Sequence, residues 1–251
     1  MSYGTNSPFG LRPLQSISGG AWTEKTNQYT LSASADGATT YGNSLFTGDP
    51  VIWNPVAANQ GGGTIARYGF NTDGNAGTNA VSVLGVFMGC EYTLPTGVRV
   101  KSAYWPAATA VYPGSQIKAF VLDDPDVVFD IQVSTWTNVL NDARFPYGLV
   151  GQNFGFGLGG GGANLVPQNP AGGNTLTGQS AVYLATTFTA NNIAHTTVTL
   201  PLKVIGYTQN PNNLNNPISY TADATTQPFL NVRVQLNNHA YRGGSLGVVA
   251  A

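Results

Sequence analysis

Residues 230–236 read Leu-Asn-Val-Arg-Val-Gln-Leu, with Leu230, Val232, Val234 and Leu236 alternating against Asn231, Arg233 and Gln235. A period of two belongs to a strand with one buried face, since successive side chains point to opposite sides of a sheet. The pattern recurs along the chain. In 196–208, Val198, Leu200, Leu202 and Val204 share one face and Thr197, Thr199, Pro201 and Lys203 the other. Pro201 marks an edge or a bulge, because proline has no N–H to give a ladder. Tyr29 to Ala33 alternates, and so do Val98, Val100 and Ser102 against Arg99, Lys101 and Ala103. Further strands are expected at 49–54, 116–122, 127–133 and 181–189. The apolar run 81–93 contains Gly85 and Gly89, which predict a bulge or tight curvature inside a strand. Only 134–144, rich in Thr, Asn and Asp, reads as a helix, and as a poor one. Many short strands separated by Gly, Pro and Asn turns define an all-β fold with a β-sandwich or barrel-like core.

The first 27 residues have no period. Pro8, Gly10, Pro13, Gly19 and Gly20 break any regular element, yet Phe9, Leu11, Leu14, Ile17 and Trp22 are too apolar for a plain tail. Residues 1–27 are therefore expected to form an extended arm that packs on its own domain or on a neighbour. A β-rich domain of one or two subdomains follows over 28–242, and then a C-terminal tail over 243–251. The glycine-rich 155–163 and the Asn-rich 164–179 read as one long surface loop. Its four consecutive glycines do not make a phosphate loop, since no Lys-Ser/Thr pair and no helix follow.

Charged residues make up 8% of the chain, against about 25% in an ordinary soluble domain. Such a weakly charged surface gives little protection against self-association, which suits a protein that works inside an assembly. The net charge is −1, and Arg99 with Lys101 is the closest basic pair in sequence. Nucleic-acid binding needs several phosphate contacts and is not expected. The single cysteine, Cys90, excludes an intrachain disulfide and reads as a small buried hydrophobe. The N-terminus lacks the features of a signal peptide, and no run of 18 apolar residues predicts a membrane span.

Asp123, Asp124, Asp126 and Asp130 crowd into eight residues of a chain with 11 acidic residues. A calcium loop wants alternating oxygens, a glycine at the sharp turn and a closing Glu. Here Pro125 stiffens the loop and no Glu follows, so Asp124-Pro125 reads as a turn. Asp130 is expected on a polar strand face with Val128 and Gln132, while Val127, Phe129, Ile131 and Val133 point inward. The two histidines, His195 and His239, belong to no recognisable nucleophile or metal motif. The chain is accordingly read as a non-enzyme, with no catalytic, cofactor-binding or metal residues assigned. Tyr104, Trp105 and Tyr112 suit a packed interface better than a sugar platform.

Several segments in order, "FGLRPL", "FTGDPV", "GVFMGCEYTLPTGVRVKSAYWPA", "AFVLDDPDVVFDIQV" and "VRVQLNNHAYR", resemble a family of virion structural proteins of tailed bacteriophages. The blocks span about residues 9–242; the loop at 155–179 has no counterpart. The resemblance implies a capsid-associated cement or decoration protein, made in the bacterial cytoplasm and placed on the capsid exterior. It would bind the major capsid shell, bridge capsomers and form a homotrimer, without contacting nucleic acid or membrane. The expected interface is Phe9, Leu11, Arg12 and Pro13, with Tyr104 and Trp105. The alternatives are another virion role (tail-tube, head-completion or head-lining) or a receptor- or glycan-binding virion protein.

Overall fold

The computed structural model describes residues 8–31, 42–54, 64–69, 82–133, 150–158, 172–185, 198–208 and 231–246. Among the described residues the fold is all-β. The helix expected over 134–144 lies outside them, and so does His195.

Five strands close into a barrel: β2 (Asn27–Leu31), β4 (Pro50–Trp53), β5 (Thr64–Arg67), β6 (Gly85–Thr93) and β9 (Ile117–Leu122). The order runs β4-β5-β2-β9-β6, and β6 pairs back to β4 through Pro50↔Val86 and Val51↔Gly85. Within it β2 and β5 are parallel and the other pairs antiparallel. A further strand, β7 (Arg99–Ser102), extends the sheet beyond β6.

The two glycines of β6 explain how nine residues turn this corner. Gly89, at φ 135°, sits where the register with β9 shifts between Phe87 and Gly89, which is the expected bulge. Gly85 lies so close to β9 that a Cβ there would strike the Leu122 carbonyl oxygen.

A second sheet has the order β1-β10-β16-β15-β11-β14, with every neighbour antiparallel. Its strands are β1 (Arg12–Ser16), β10 (Val127–Gln132), β11 (Asn153–Leu158), β14 (Val182–Ala185), β15 (Leu202–Tyr207) and β16 (Asn231–Leu236). It curls until its ends meet. Val133 bridges Leu184, and the Gly10 N–H donates to the Val182 carbonyl at 3.0 Å. Two short ribbons complete the fold, β3 (Leu45–Phe46) with β8 (Tyr104–Trp105) and β12 (Gly173–Asn174) with β13 (Gln179–Ser180).

Two apolar clusters hold these layers. One fills the barrel with Leu31, Val51, Ile65, Leu84, Phe87, Ala119, Val121 and Trp105. The other packs Ile52, Val86 and Leu122, from the barrel's outer side, against Phe129, Ile131, Phe154, Phe156, Val204 and Val234 of the second sheet. Successive residues where β6 and β9 meet the second sheet, Val86 and Phe87 on one and Val121 and Leu122 on the other, thus enter different cores, so these stretches are apolar without alternation, whereas Glu91 and Lys118 interrupt the apolar pattern farther along.

Three expectations need correction. The arm carries a strand: Arg12–Ser16 adds to β10, and its backbone hydrogen bonds override the lack of a sequence period. Residues 155–158 are not loop but the end of β11, where Gly155 and Gly157 alternate with Phe154, Phe156 and Leu158. The missing side chain of Gly157 makes room for the Tyr183 ring on β14, which a Cβ would strike. Finally, the Val128–Asp130–Gln132 side of β10 is buried, not solvated. Neighbouring strands flank it, and Asp130 stands opposite Arg12 on β1 and Arg233 on β16.

Candidate interaction surface

The arm is sewn into its own chain at a seam between the two sheets. Leu11 is buried, and its N–H donates to the Gly48 carbonyl at 2.9 Å. Gly48 donates in turn to Phe87, and Phe87 to Asp49, each at 2.9 Å. Further along, the Ile17 N–H reaches the Asp126 carbonyl at 2.8 Å. Gly10 has φ 73°, a region that favours glycine, and an added Cβ would come within 2.6 Å of the Gly48 oxygen and the Ser180 Cβ. Chain direction and close approach both require glycine there.

Beneath this seam lies Asp49, read from sequence as a mere turn residue at a strand mouth. It is 0% exposed. One carboxylate oxygen accepts the Ser180 hydroxyl at 2.5 Å and the other accepts the Phe46 N–H at 2.9 Å. Arg67 Nε lies 3.6 Å away as an ion-pair partner. Burial pushes the Asp49 carboxyl above the ordinary aspartate range, while Arg67, Ser180 and the Phe46 N–H pull it back. Asp49 thereby ties β3, β5 and the β12–β13 ribbon to one point. A Gly-Asp-Pro tripeptide before a strand was the available sequence signal, but its burial was not legible.

The acidic cluster does not converge on one point. Asp123 accepts both Asn27 amide contacts at 2.9 Å and the Tyr29 hydroxyl at 2.5 Å. Asp124 Oδ1 accepts the Asp126 N–H at 2.9 Å, which fixes the turn. Asp126 pairs with Arg242 at 2.8 Å. Asp130 accepts the Thr208 hydroxyl at 2.6 Å; burial raises its pKa, with Thr208, Arg12 and Arg233 opposing. Each carboxylate fastens a different part of the fold. His239 is also buried. Its Nδ1 accepts the Tyr241 N–H at 3.1 Å, and burial, aided by nearby Arg242, lowers its pKa against the pull of Asp123 and Asp124. Burial pushes the Cys90 thiol up to about 12, so it is inert as a nucleophile.

The expected interface residues divide. Leu11 and Trp105 are core side chains and present no surface, which corrects their assignment; a buried Trp105 offers no sugar platform either. Tyr104 is half-buried and stacks on Phe46 at 5.4 Å between ring centroids. Phe9, Arg12 and Pro13 keep exposed surface, with the Arg12 guanidinium 4.3 Å over the Phe9 ring.

These three residues open onto a groove. A hollow of about 360 Å³ is lined by Phe9, Leu11, Arg12 and Pro13 of the arm and by Thr177 and Gln179 of the β12–β13 ribbon. A larger one, about 700 Å³, runs across the outer barrel face past Gly89, Lys101 and Phe120, with Glu24 on its wall. The hollows meet at Trp22, Met88 and Ala103. Lys101 lies 5.7 Å from the Phe120 ring centroid. The strand register also brings Lys101 and Lys118 to either side of Glu91, which pairs with Arg99. Basic residues dispersed in sequence are thus gathered on one face, which the spacing did not reveal.

Comparison with known proteins finds no matching family model, no similar curated protein and no similar solved structure.

Proposed function

We propose that this chain is an accessory structural protein of a tailed-phage virion, a cement or decoration protein that binds the major capsid shell and bridges capsomers. The observation that carries the reading is spatial. The separated blocks that resemble virion proteins form one contiguous scaffold. "FGLRPL" bonds to "FTGDPV" through Leu11 and Gly48, and "FTGDPV" to "GVFMGCEY" through Gly48, Asp49 and Phe87. "FGLRPL" also lies along "DDPDVVFDIQV" as β1 on β10, and that block pairs with "VRVQLNNHAYR" as β16 and through Arg242–Asp126. The residues behind the resemblance are therefore those that build the seam and the groove beside it.

Bridging acts by mass action: a protein that binds only the assembled shell stabilises the shell over free capsomers. The test is to add the purified chain to empty expanded shells of the phage that encodes it. Binding to the outer surface with a higher shell-disassembly temperature supports the reading. Failure to bind, with the protein found at the portal or tail of the virion, removes it in favour of another virion role.

A further inference from the structure

The groove beside the arm has its own chemistry, and we infer that it holds an extended, apolar segment of a partner protein flanked by carboxylates. This rests on the bridging role above, for which it names the contact. Trp22 and Met88 form the waist, with Phe9 and Pro13 on one side and Phe120 on the other. Such a lining favours apolar side chains, with charges left for the ends.

The ends are cationic. Arg12 stands at one and Lys101 at the other, and neither forms an ion pair with a described residue. Each lies over an aromatic ring instead, an arrangement that leaves the charge open to a further partner. Asp130, the nearest acid to Arg12 by register, is buried and shared with Arg233. Glu91, opposite Lys101, is already held by Arg99. The charged residues lining the groove are Arg12 and Lys101 against Glu24 alone, and Lys118 stands beside Glu91 on the adjoining barrel strands, in a chain whose net charge is −1. The local excess of positive charge complements a carboxylate-bearing segment. A nucleic-acid backbone fits less well, because Glu24 and Glu91 lie among the cations and the waist is apolar.

The wall carries a further mark. Glu24 adopts φ 58°, which is uncommon for a residue with a side chain, and it lines the same hollow as Trp22, two residues before it. Backbone in so sparse a region persists where the surrounding structure fixes it, and such residues gather at ligand clamps.

The test uses the full chain without any shell, so its failure is distinguishable from failure of the bridging role. The probe is the peptide acetyl-Glu-Leu-Pro-Leu-Asp-amide, beside its Gln/Asn counterpart and a dT12 oligonucleotide, followed by NMR of ¹⁵N-labelled protein. The acidic peptide is expected to shift the Trp22 indole and the Lys101 and Phe120 amides. It should bind about tenfold or more tighter than the neutral one at low salt, with the preference fading as salt is raised. Lys101→Gln should weaken the preference and Arg12→Gln with Lys101→Gln should erase it, and the spectrum of Lys101→Gln, a change far from buried Asp130, should stay that of the folded chain. Equal binding of both peptides, shifts confined to other surfaces, absence of binding, or tighter binding of dT12 would each overturn the inference.

Discussion

Replacing Asp49 by Ala tests whether the buried carboxylate really joins the parts of the fold. The substitution removes the acceptor for the Ser180 hydroxyl and the Phe46 N–H, and the charge facing Arg67. Leaving a buried donor without an acceptor costs about 1–3 kcal/mol, and removing one partner of a buried ion pair costs about 3–5 kcal/mol. These effects share one carboxylate and do not add, so the net loss should be about 3–5 kcal/mol. That is a large part of the roughly 5–15 kcal/mol that holds a domain together. Urea unfolding followed by tryptophan fluorescence gives the measurement. At a slope of about 3 kcal/mol/M the midpoint should fall by about 1–1.7 M. Asp49→Asn keeps one acceptor but turns an amide N–H₂ toward the remaining donors, so it should lie between wild type and Asp49→Ala. Asp124→Asn, at an exposed turn position where the amide oxygen still caps the Asp126 N–H, should stay within about 0.5 kcal/mol. A loss below about 1 kcal/mol for Asp49→Ala, or equal to that control, would refute the role given to Asp49.

Three further outcomes are expected. Gly85→Ala forces a methyl group onto the Leu122 carbonyl where the barrel closes; it should cost at least about 2 kcal/mol by calorimetry or urea unfolding, and a neutral effect would contradict the closure. Leu11→Ala empties a buried site at the seam and should cost about 2–5 kcal/mol; a change below about 0.5 kcal/mol, the scale of a surface substitution, would mean that the arm is not docked. His239 bears on pH. Its folded-state pKa is depressed, so its contribution is complete above the unfolded value of about 6.5 and is lost as pH falls below it, by up to about 1.4 kcal/mol per pH unit. Stability curves from pH 7.5 to 5 should show this loss in wild type and not in His239→Gln. The raised carboxyls Asp49 and Asp130 act in the opposite sense, but they are present in both proteins and cancel in the difference.

What could be read from sequence depended on whether one strand's own residues held the information. In β15 and β16, Val204, Val232, Val234 and Leu236 point inward as their alternation predicts, but Gln235, expected on the outer face, is buried between neighbouring strands, and Val198, expected on the inner face, is exposed ahead of β15. Gly89 lies at its bulge because a glycine within an apolar run has few other uses. β1 was not legible, because a strand at the sheet edge between prolines and glycines is made by β10 and not by its own pattern. The glycines of β11 resembled loop because their purpose, space for Tyr183, belongs to another strand. Asp49 and the cationic face are likewise products of topology. Arg67 and Ser180 come to Asp49 from distant positions, and Lys118 reaches Glu91 across the β6–β9 register. The Asp-Pro turn was legible; the different structural duties of its four carboxylates were not.

The proposed role as a capsid cement is tested most directly by cryo-EM of intact virions that carry this chain. The expected result is density for the two-sheet fold on the outer shell at local three-fold positions, in copies that scale with the capsomers, with the groove between arm and barrel facing the shell. Density confined to the portal, the tail or a fibre would contradict it.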